Sequence, residues 1–424
     1  MAWATTDAPR GAALDPTGAM ATSILARSIR ESATLALNER AALLAEHGQP
    51  VIHLGGGEPK NKVPVGAIVG GAAVLQSGDV KYVPTDGTPS LKQAIIRYTE
   101  EHYGRRVAPE NVIVSSGAKQ SLYNVLVSLV DPGDEVIVLA PYWVSYPEMV
   151  KLTYGHPVIV HPENGSLTPS LEEIEQHFGA DTKAIVVNSP NNPSGVVYPD
   201  ELIAGVVELC ESRGVYLVMD DIYSRLVFDD ARPAPGYSFT DAEVDDSHVV
   251  VVNGVSKLYG MTGFRIGWTI GPRDLVEVMK NVQSQTTSCP AAVSMAAAEG
   301  ALVGAQGSVE SLRLAIQNNR DVMLRELRAF SNLPVTTPCG TFYCLPDFRA
   351  YCGDSEELSR LLLDKALVVT VPGREFGAEG HLRLSFCGSI KEIVEGVQRI
   401  RWALDPTAPN EITIGDRRCA RDWS

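Results

Sequence analysis

The chain has 424 residues, 45% of them hydrophobic and 21% charged, the proportions of an ordinary globular protein long enough for two or three domains. Its 36 Lys plus Arg against 51 Asp plus Glu leave a net charge of −15, which disfavours nucleic acid and anionic lipid as partners. Apolar runs are too short to span a bilayer, and seven scattered cysteines without a Cys-x-x-Cys pair suggest neither disulfides nor a metal site but reduced, cytoplasmic thiols.

Residues 1 to about 20 lack periodicity, and the first 30 lack the basic start and apolar stretch of a signal peptide, so they read as a mobile N-terminal arm. From Ser32 to His47, Leu35, Leu37, Ala41 and Leu44 recur at helical spacing, and Gly48 ends the helix. After the bend LGGGEP (54–59), six short runs rich in Val and Ile alternate with amphipathic stretches: 112–116, 135–140, 157–161, 184–189, 215–219 and 248–253. Such runs indicate strands covered on both faces, hence an α/β fold with a mainly parallel sheet. Sheets of this kind bind ligands at the carboxyl ends of their strands. Beyond about 310 the pattern changes to a long helix (312–329), strand-like pieces at 340–346 and 381–386, and a closing helix at 390–403. The division expected is an arm (1–30), a large domain (65–310), a smaller α+β domain (31–64 with 311–404) and an irregular tail (405–424).

Four of the strand ends carry polar groups. In VVNGVSKLYGMTGFRIGW (251–268) a strand runs into Ser256 and Lys257, with Arg265 following. An arbitrary loop lysine is usually a solvated charge, but this one lies where a parallel sheet places its ligand. A buried amine shifts its pKa readily and forms Schiff bases with carbonyl cofactors. VVNSPNNPSG (186–195) is, taken alone, ordinary turn chemistry. In VMDDIYSRL (218–226) Asp220 and Asp221 follow a strand, with Tyr223 just beyond; a helix N-cap would explain one aspartate but not the recurrence of polar groups at successive strand ends. VIVSSGAKQSLYN (112–124) turns through Gly117, Ala118 and Lys119 into a helix whose first N–H groups suit a phosphate. No dinucleotide fingerprint is present, since Gly55 and Gly57 would need a glycine in place of Lys60.

Taken in order, these segments resemble the fold type I, class I/II aminotransferases, which bind pyridoxal 5′-phosphate. The resemblance rests on S-K-x-x-x-M-T-G-x-R-x-G-W around Lys257, N-x-P-N-N-P-[ST]-G at 188–195, D-D-x-Y at 220–223 and A-P-Y-W at 140–143, and it extends from about residue 30 to 403. It implies a large domain with a mainly parallel seven-stranded sheet flanked by helices, plus the smaller α+β domain. It also implies roles. Lys257 would hold the cofactor covalently and carry the proton to and from the substrate's Cα. Asp220 would face the pyridine nitrogen, Asn192 and Tyr223 the 3′ oxygen, and Trp143 the ring. Gly117, Ala118, Lys119, Ser256 and Arg265 would form the phosphate side. Tyr82 would reach the phosphate of a neighbouring subunit, making the active unit a homodimer. Arg383, in HLRLSF, would clamp the substrate α-carboxylate, with Gly57, Trp143 and Asn192 nearby. No metal is implied.

Within the family the chain is similar to the bacterial aspartate aminotransferase branch, some members of which accept prephenate. The branch that reads a second carboxylate with a partner-subunit arginine is disfavoured, because NVQSQTTSCP (281–290) offers Ser284 and no arginine. The other branch uses the lysine of the phosphate loop, here Lys119, and a Ser-Ala-Thr, here Ser32 to Thr34. An ammonium in a poorly solvated pocket favours dicarboxylates, so the expected reaction is ping-pong amino transfer from aspartate or glutamate to a 2-oxo acid. The alternatives are a prephenate or other aromatic or neutral amino acid transaminase, or a lyase on the same scaffold. An amino-acid-sensing regulator would need a DNA-binding domain that residues 1–30 do not resemble. Two departures stand out: Lys60, with Asn61 and Lys62, replaces the usual acidic residue after Gly-Glu-Pro and reads as a solvated loop, and Cys289 stands where asparagine is common.

Overall fold

The computed structural model describes residues 22–29, 33–163 and 165–421, with side chains of the second segment from Leu37 onward. Its centre is a seven-stranded sheet. The strands are β1 (Val112–Ser115), β2 (Glu135–Leu139), β3 (His156–Val160), β4 (Thr182–Asn188), β5 (Tyr216–Asp220), β6 (Val249–Gly254) and β7 (Gly267–Ile270). Their order is β1-β7-β6-β5-β4-β2-β3. All neighbours run parallel except at β7, which is antiparallel to both β1 and β6.

The Val/Ile runs form strands because helices bury both faces. Val136, Val138, Val218 and Val250 pack with Leu122 and Val125 of helix Ala118–Leu129 and with Val276 and Met279 of helix Arg273–Thr286. The alternate residues Ile137, Leu217 and Val251 join the opposite core with Leu91 and Ile95 of helix Pro89–Tyr103 and Val206 of helix Asp200–Arg213. The seventh strand has too few β-branched residues to stand out in the sequence; pairing on both edges makes GWTI a strand.

Smaller sheets, whose buried residues continue the core on that opposite face, are built from segments near both ends of the described chain. Ile52–His53 pairs in parallel with Val368–Val369. The strands Val371–Pro372, Leu382–Ser385 and Tyr343–Cys344 form an antiparallel sheet. Helix Ala33–Glu46 stops before Gly48, whose φ of 75° suits glycine. Helix Gly307–Leu327 starts earlier than its apolar spacing suggests. Helix Ile390–Leu404 opens with a capping box, Ser389 and Glu392 bonding each other's backbone N–H.

Several expectations are corrected. Within the arm, Ile24–Ser28 is a short helix capped by Ser23. The tail is not irregular, since Glu411–Ile414 and Arg417–Ala420 form an antiparallel hairpin turning at Gly415, where φ is 60°. It docks on the closing helix: Trp402 Nε1 donates to Asn410 O at 3.2 Å, and Arg421 Nη1 to Asp405 O at 2.8 Å. No helix starts at Asp220 or Asp221, so neither is an N-cap. Among the described residues no helix is long and apolar enough to cross a membrane.

Helix Val65–Ser77 packs tightly on helix Ala292–Val303. A Cβ on Gly66 would lie 2.2 Å from Gly300 O, and one on Gly300 would lie 2.1 Å from Gly66 O. On the outer side of helix Val65–Ser77, Val65, Ile68, Val69 and Leu75 are exposed.

Candidate active site

The polar groups gather at the carboxyl ends of the strands. Asp220 closes β5, its side chain 4% exposed. The Tyr146 hydroxyl donates to Oδ2 at 2.6 Å, and the Ile222 N–H to Oδ1 at 3.3 Å. Burial raises its pKa to about 6, although both hydrogen bonds and the positive charge of Lys257 favour the anion. Asn188, at the end of β4, ties the neighbouring segments together. Its Nδ2 donates to Asp220 O and its Oδ1 accepts from the Asn192 N–H, each at 2.8 Å.

Beyond β6 the chain turns through Ser256 to Lys257, whose Nζ donates to Gly57 O at 2.7 Å. Desolvation, with repulsion from Arg383 and Arg265, lowers the lysine's pKa to about 8; Cys387 and Glu58 oppose this in part. At the end of β1, Gly117 has φ 91° and opens helix Ala118–Leu129. A Cβ there would lie 2.5 Å from Nη2 of Arg265, so only glycine allows the guanidinium to lie against this backbone. Lys119 Nζ sits 4.7 Å over the Trp143 ring. Its pKa is lowered by desolvation and by Arg265.

Arg383 comes from strand Leu382–Ser385 and is buried. Nη1 donates to Asn192 Oδ1 at 3.1 Å and Nη2 to Gly55 O at 3.0 Å, while Nε has no hydrogen-bond partner among the described residues. The guanidinium carbon lies 4.3 Å from the ring centre of Tyr343 and 5.0 Å from that of Phe376. The Tyr223 and Tyr343 rings stand edge to face, their centres 6.3 Å apart.

One cavity of about 480 Å³ collects nearly all of the residues singled out by the motifs. Asp220, Tyr223 and Lys257 line it, as do Ala118, Lys119, Ser256 and Arg265 of the loop ends. Gly57, Trp143, Asn192 and Arg383 complete the walls. Gly117 adjoins it through Arg265. Tyr82 is not brought in: it is 90% exposed. The side chain of Thr34 and all of Ser32 lie outside the described residues. Lys60 is exposed in its loop, as expected, and its Nζ pairs with Glu392 at 3.0 Å on the closing helix.

Sequence reasoning missed several wall residues. Tyr146, three positions past Trp143, lies outside every motif singled out. Asn188 was hidden among turn residues. Tyr343 lies in a strand-like piece and Phe376 in no motif, while Glu58, which accepts from Thr262 Oγ1, lies in the bend at 54–59.

Such a site offers an amine of lowered pKa, a buried carboxylate and cationic groups at separate positions, the equipment for moving a proton on a substrate held by its charges. Comparison with known proteins agrees. The family described as "Aminotransferase class I and II" matches residues 49–400. A probable aspartate/prephenate aminotransferase of Thermus aquaticus is 39% identical, covering 89% of this chain and 98% of the relative. An aspartate aminotransferase of Geobacillus stearothermophilus is 37% identical, covering 90% and 98%. Among solved structures, an aspartate aminotransferase from Rhizobium meliloti superposes with a TM-score of 0.86 at 34% identity, covering 90% of this chain and 98% of that one. With this match in sequence, architecture and site, the chain belongs to the class I and II aminotransferases.

Proposed function

We propose that this aminotransferase uses pyridoxal 5′-phosphate and takes the amino group from aspartate or glutamate. The observation that carries the reading is the convergence of the Lys257 amine, the Asp220 carboxyl and the Arg383 guanidinium on one cavity. The residues fit the cofactor: the bare Gly117 backbone beside Arg265 suits a phosphate, and a carboxyl buried at Asp220 suits a ring nitrogen. When bound, the cofactor supplies an acceptor for the electron pair released at the substrate's Cα.

In this reading Lys257 holds the cofactor and carries the proton on Nζ; its lowered pKa lets the amine accept a proton near neutral pH. Asp220 pairs with the ring nitrogen, steadied by Tyr146. Asn192 and Tyr223 orient the 3′ oxygen and Trp143 covers the ring. Gly117, Ala118, Lys119, Ser256 and Arg265 take the phosphate. Arg383 takes the α-carboxylate in bidentate fashion, with Asn192 and Gly57 beside it. Lys119, with no carboxylate acting on it among the described residues, takes the second carboxylate together with Thr34. The relatives named for aspartate and prephenate support this substrate class.

We further propose a cytoplasmic homodimer. The exposed apolar face of helix Val65–Ser77 and the exposed Tyr82 are the surfaces it would cover. The division into a large domain (65–310) and a small one (31–64 with 311–404) is part of the same reading.

The test is a single turnover with aspartate. One equivalent of oxaloacetate per site without ammonia is expected; ammonia together with a 2-oxo acid would make the protein a lyase, and a preference for prephenate would move it to the aromatic reading. Lys257→Ala is expected to slow turnover at least about a hundredfold, and full activity in that variant would remove the mechanism.

A further inference from the structure

Helix Ala33–Glu46 is held by Leu37, Ala41 and Leu44, which pack with Leu363 and Val369. Asn38, next to Leu37, faces elsewhere: it lines the active-site cavity. Its Oδ1 is 2.7 Å from Nε2 of His53. An amide oxygen only accepts, so the imidazole supplies the hydrogen and the Asn38 Nδ2 group is left to donate. His53 suits that part. Desolvation, with repulsion from Lys60 and Arg383, lowers its pKa against the opposing pull of Glu392 and a backbone hydrogen bond, which favours the neutral ring with a single N–H. The ring also stands beside the glycine loop, 3.5 Å from where a Cβ of Gly55 would be and 3.7 Å from that of Gly56. Gly55 O is the acceptor that orients Arg383. The pair therefore links the first helix to the segment that positions the α-carboxylate clamp.

We infer that Asn38, fixed by His53, is a specificity residue that donates an amide N–H to the second carboxylate of an acidic substrate. The inference rests on the acidic-substrate reading above and adds to it a neutral donor from the helix side of the cavity. A substrate with two carboxylates uses Arg383 for one and needs donors for the other. A hydrogen bond to a charged group is worth more than one between neutral groups, and a methyl side chain such as that of alanine cannot use it. Asn38 should then weigh on aspartate and not on alanine. His53 acts through Asn38 and is a positioning residue.

The experiment compares the holoenzyme and its variants on aspartate and alanine, and measures succinate and propionate binding by calorimetry. Asn38→Ala is expected to lower kcat/KM for aspartate at least about tenfold more than for alanine, and to weaken succinate but not propionate. Asn38→Asp, close to isosteric, should weaken succinate further by placing a negative charge against it, which keeps the test open if the alanine variant folds poorly. His53→Ala should follow Asn38→Ala in direction, and His53→Gln, which restores a donor, should recover the preference. Equal losses on both amino acids, or unchanged succinate binding in both Asn38 variants, would overturn the inference. A wild-type enzyme with no preference for aspartate over alanine would overturn the acidic-substrate reading itself and this inference with it.

Discussion

Asp220 is held in conflict with its solvation. A carboxyl whose pKa stands at about 6 when folded and 3.8 otherwise binds an extra proton in the native state between those values. Stability therefore falls as pH rises from about 4 to about 6, and the full cost remains above that range. In protein stripped of pyridoxal phosphate, Asp220→Asn is expected to raise the unfolding free energy by up to about 3 kcal/mol at pH 8 and by little at pH 4. Urea titrations at the two pH values check this, and transamination should be lost in the same variant. Lys119→Ser is expected to lower kcat/KM for aspartate more than for alanine; an equal loss would confine Lys119 to the phosphate. Residues of this kind were legible because a charge at the end of a buried strand has few purposes other than chemistry. Tyr146 was not, because nothing in a helix start says which strand end its hydroxyl will meet. Asn38 likewise shares a helix with core-facing leucines, and its outlook depends on how that helix packs.

Two close approaches between elements leave no room for a side chain. Gly117→Ala forces a β-carbon onto Arg265 at a backbone conformation reserved for glycine. A cost of about 1–3 kcal/mol is expected, with cofactor affinity reduced at least about tenfold in equilibrium dialysis as the guanidinium is displaced. Gly300→Ala would push helix Ala292–Val303 away from helix Val65–Ser77, where the clash is with backbone oxygen and no rotamer relieves it. That should cost about 1–3 kcal/mol or more in chemical denaturation. Six strands were legible because sandwiching between helices demands unbroken Val/Ile runs. GWTI was not, since its strand character comes from neighbours distant in sequence. The terminal hairpin was missed for a related reason: Ile412 and Ile414 give too short an alternation to separate from loop until Trp402 and Arg421 provide the docking contacts.

At the scale of the molecule, an exposed stripe of Val65, Ile68, Val69 and Leu75 calls for a covering surface. If a second copy covers it, Val69→Asp should shift the sedimentation coefficient to that of a monomer and remove most of the activity, because Tyr82 would lose its neighbour. The family fold was readable from motif order between about residues 30 and 403, whereas the docking of the terminal hairpin was not. At the turn of the terminal hairpin, a Cβ on Gly415 would come within 2.9 Å of Pro50, so the last strands rest beside the point where the family match begins. The terminal hairpin is thus held from two sides, at Pro50 through its turn and at the closing helix through Trp402 and Arg421, so trimming the chain before Glu411 would uncover both places at once.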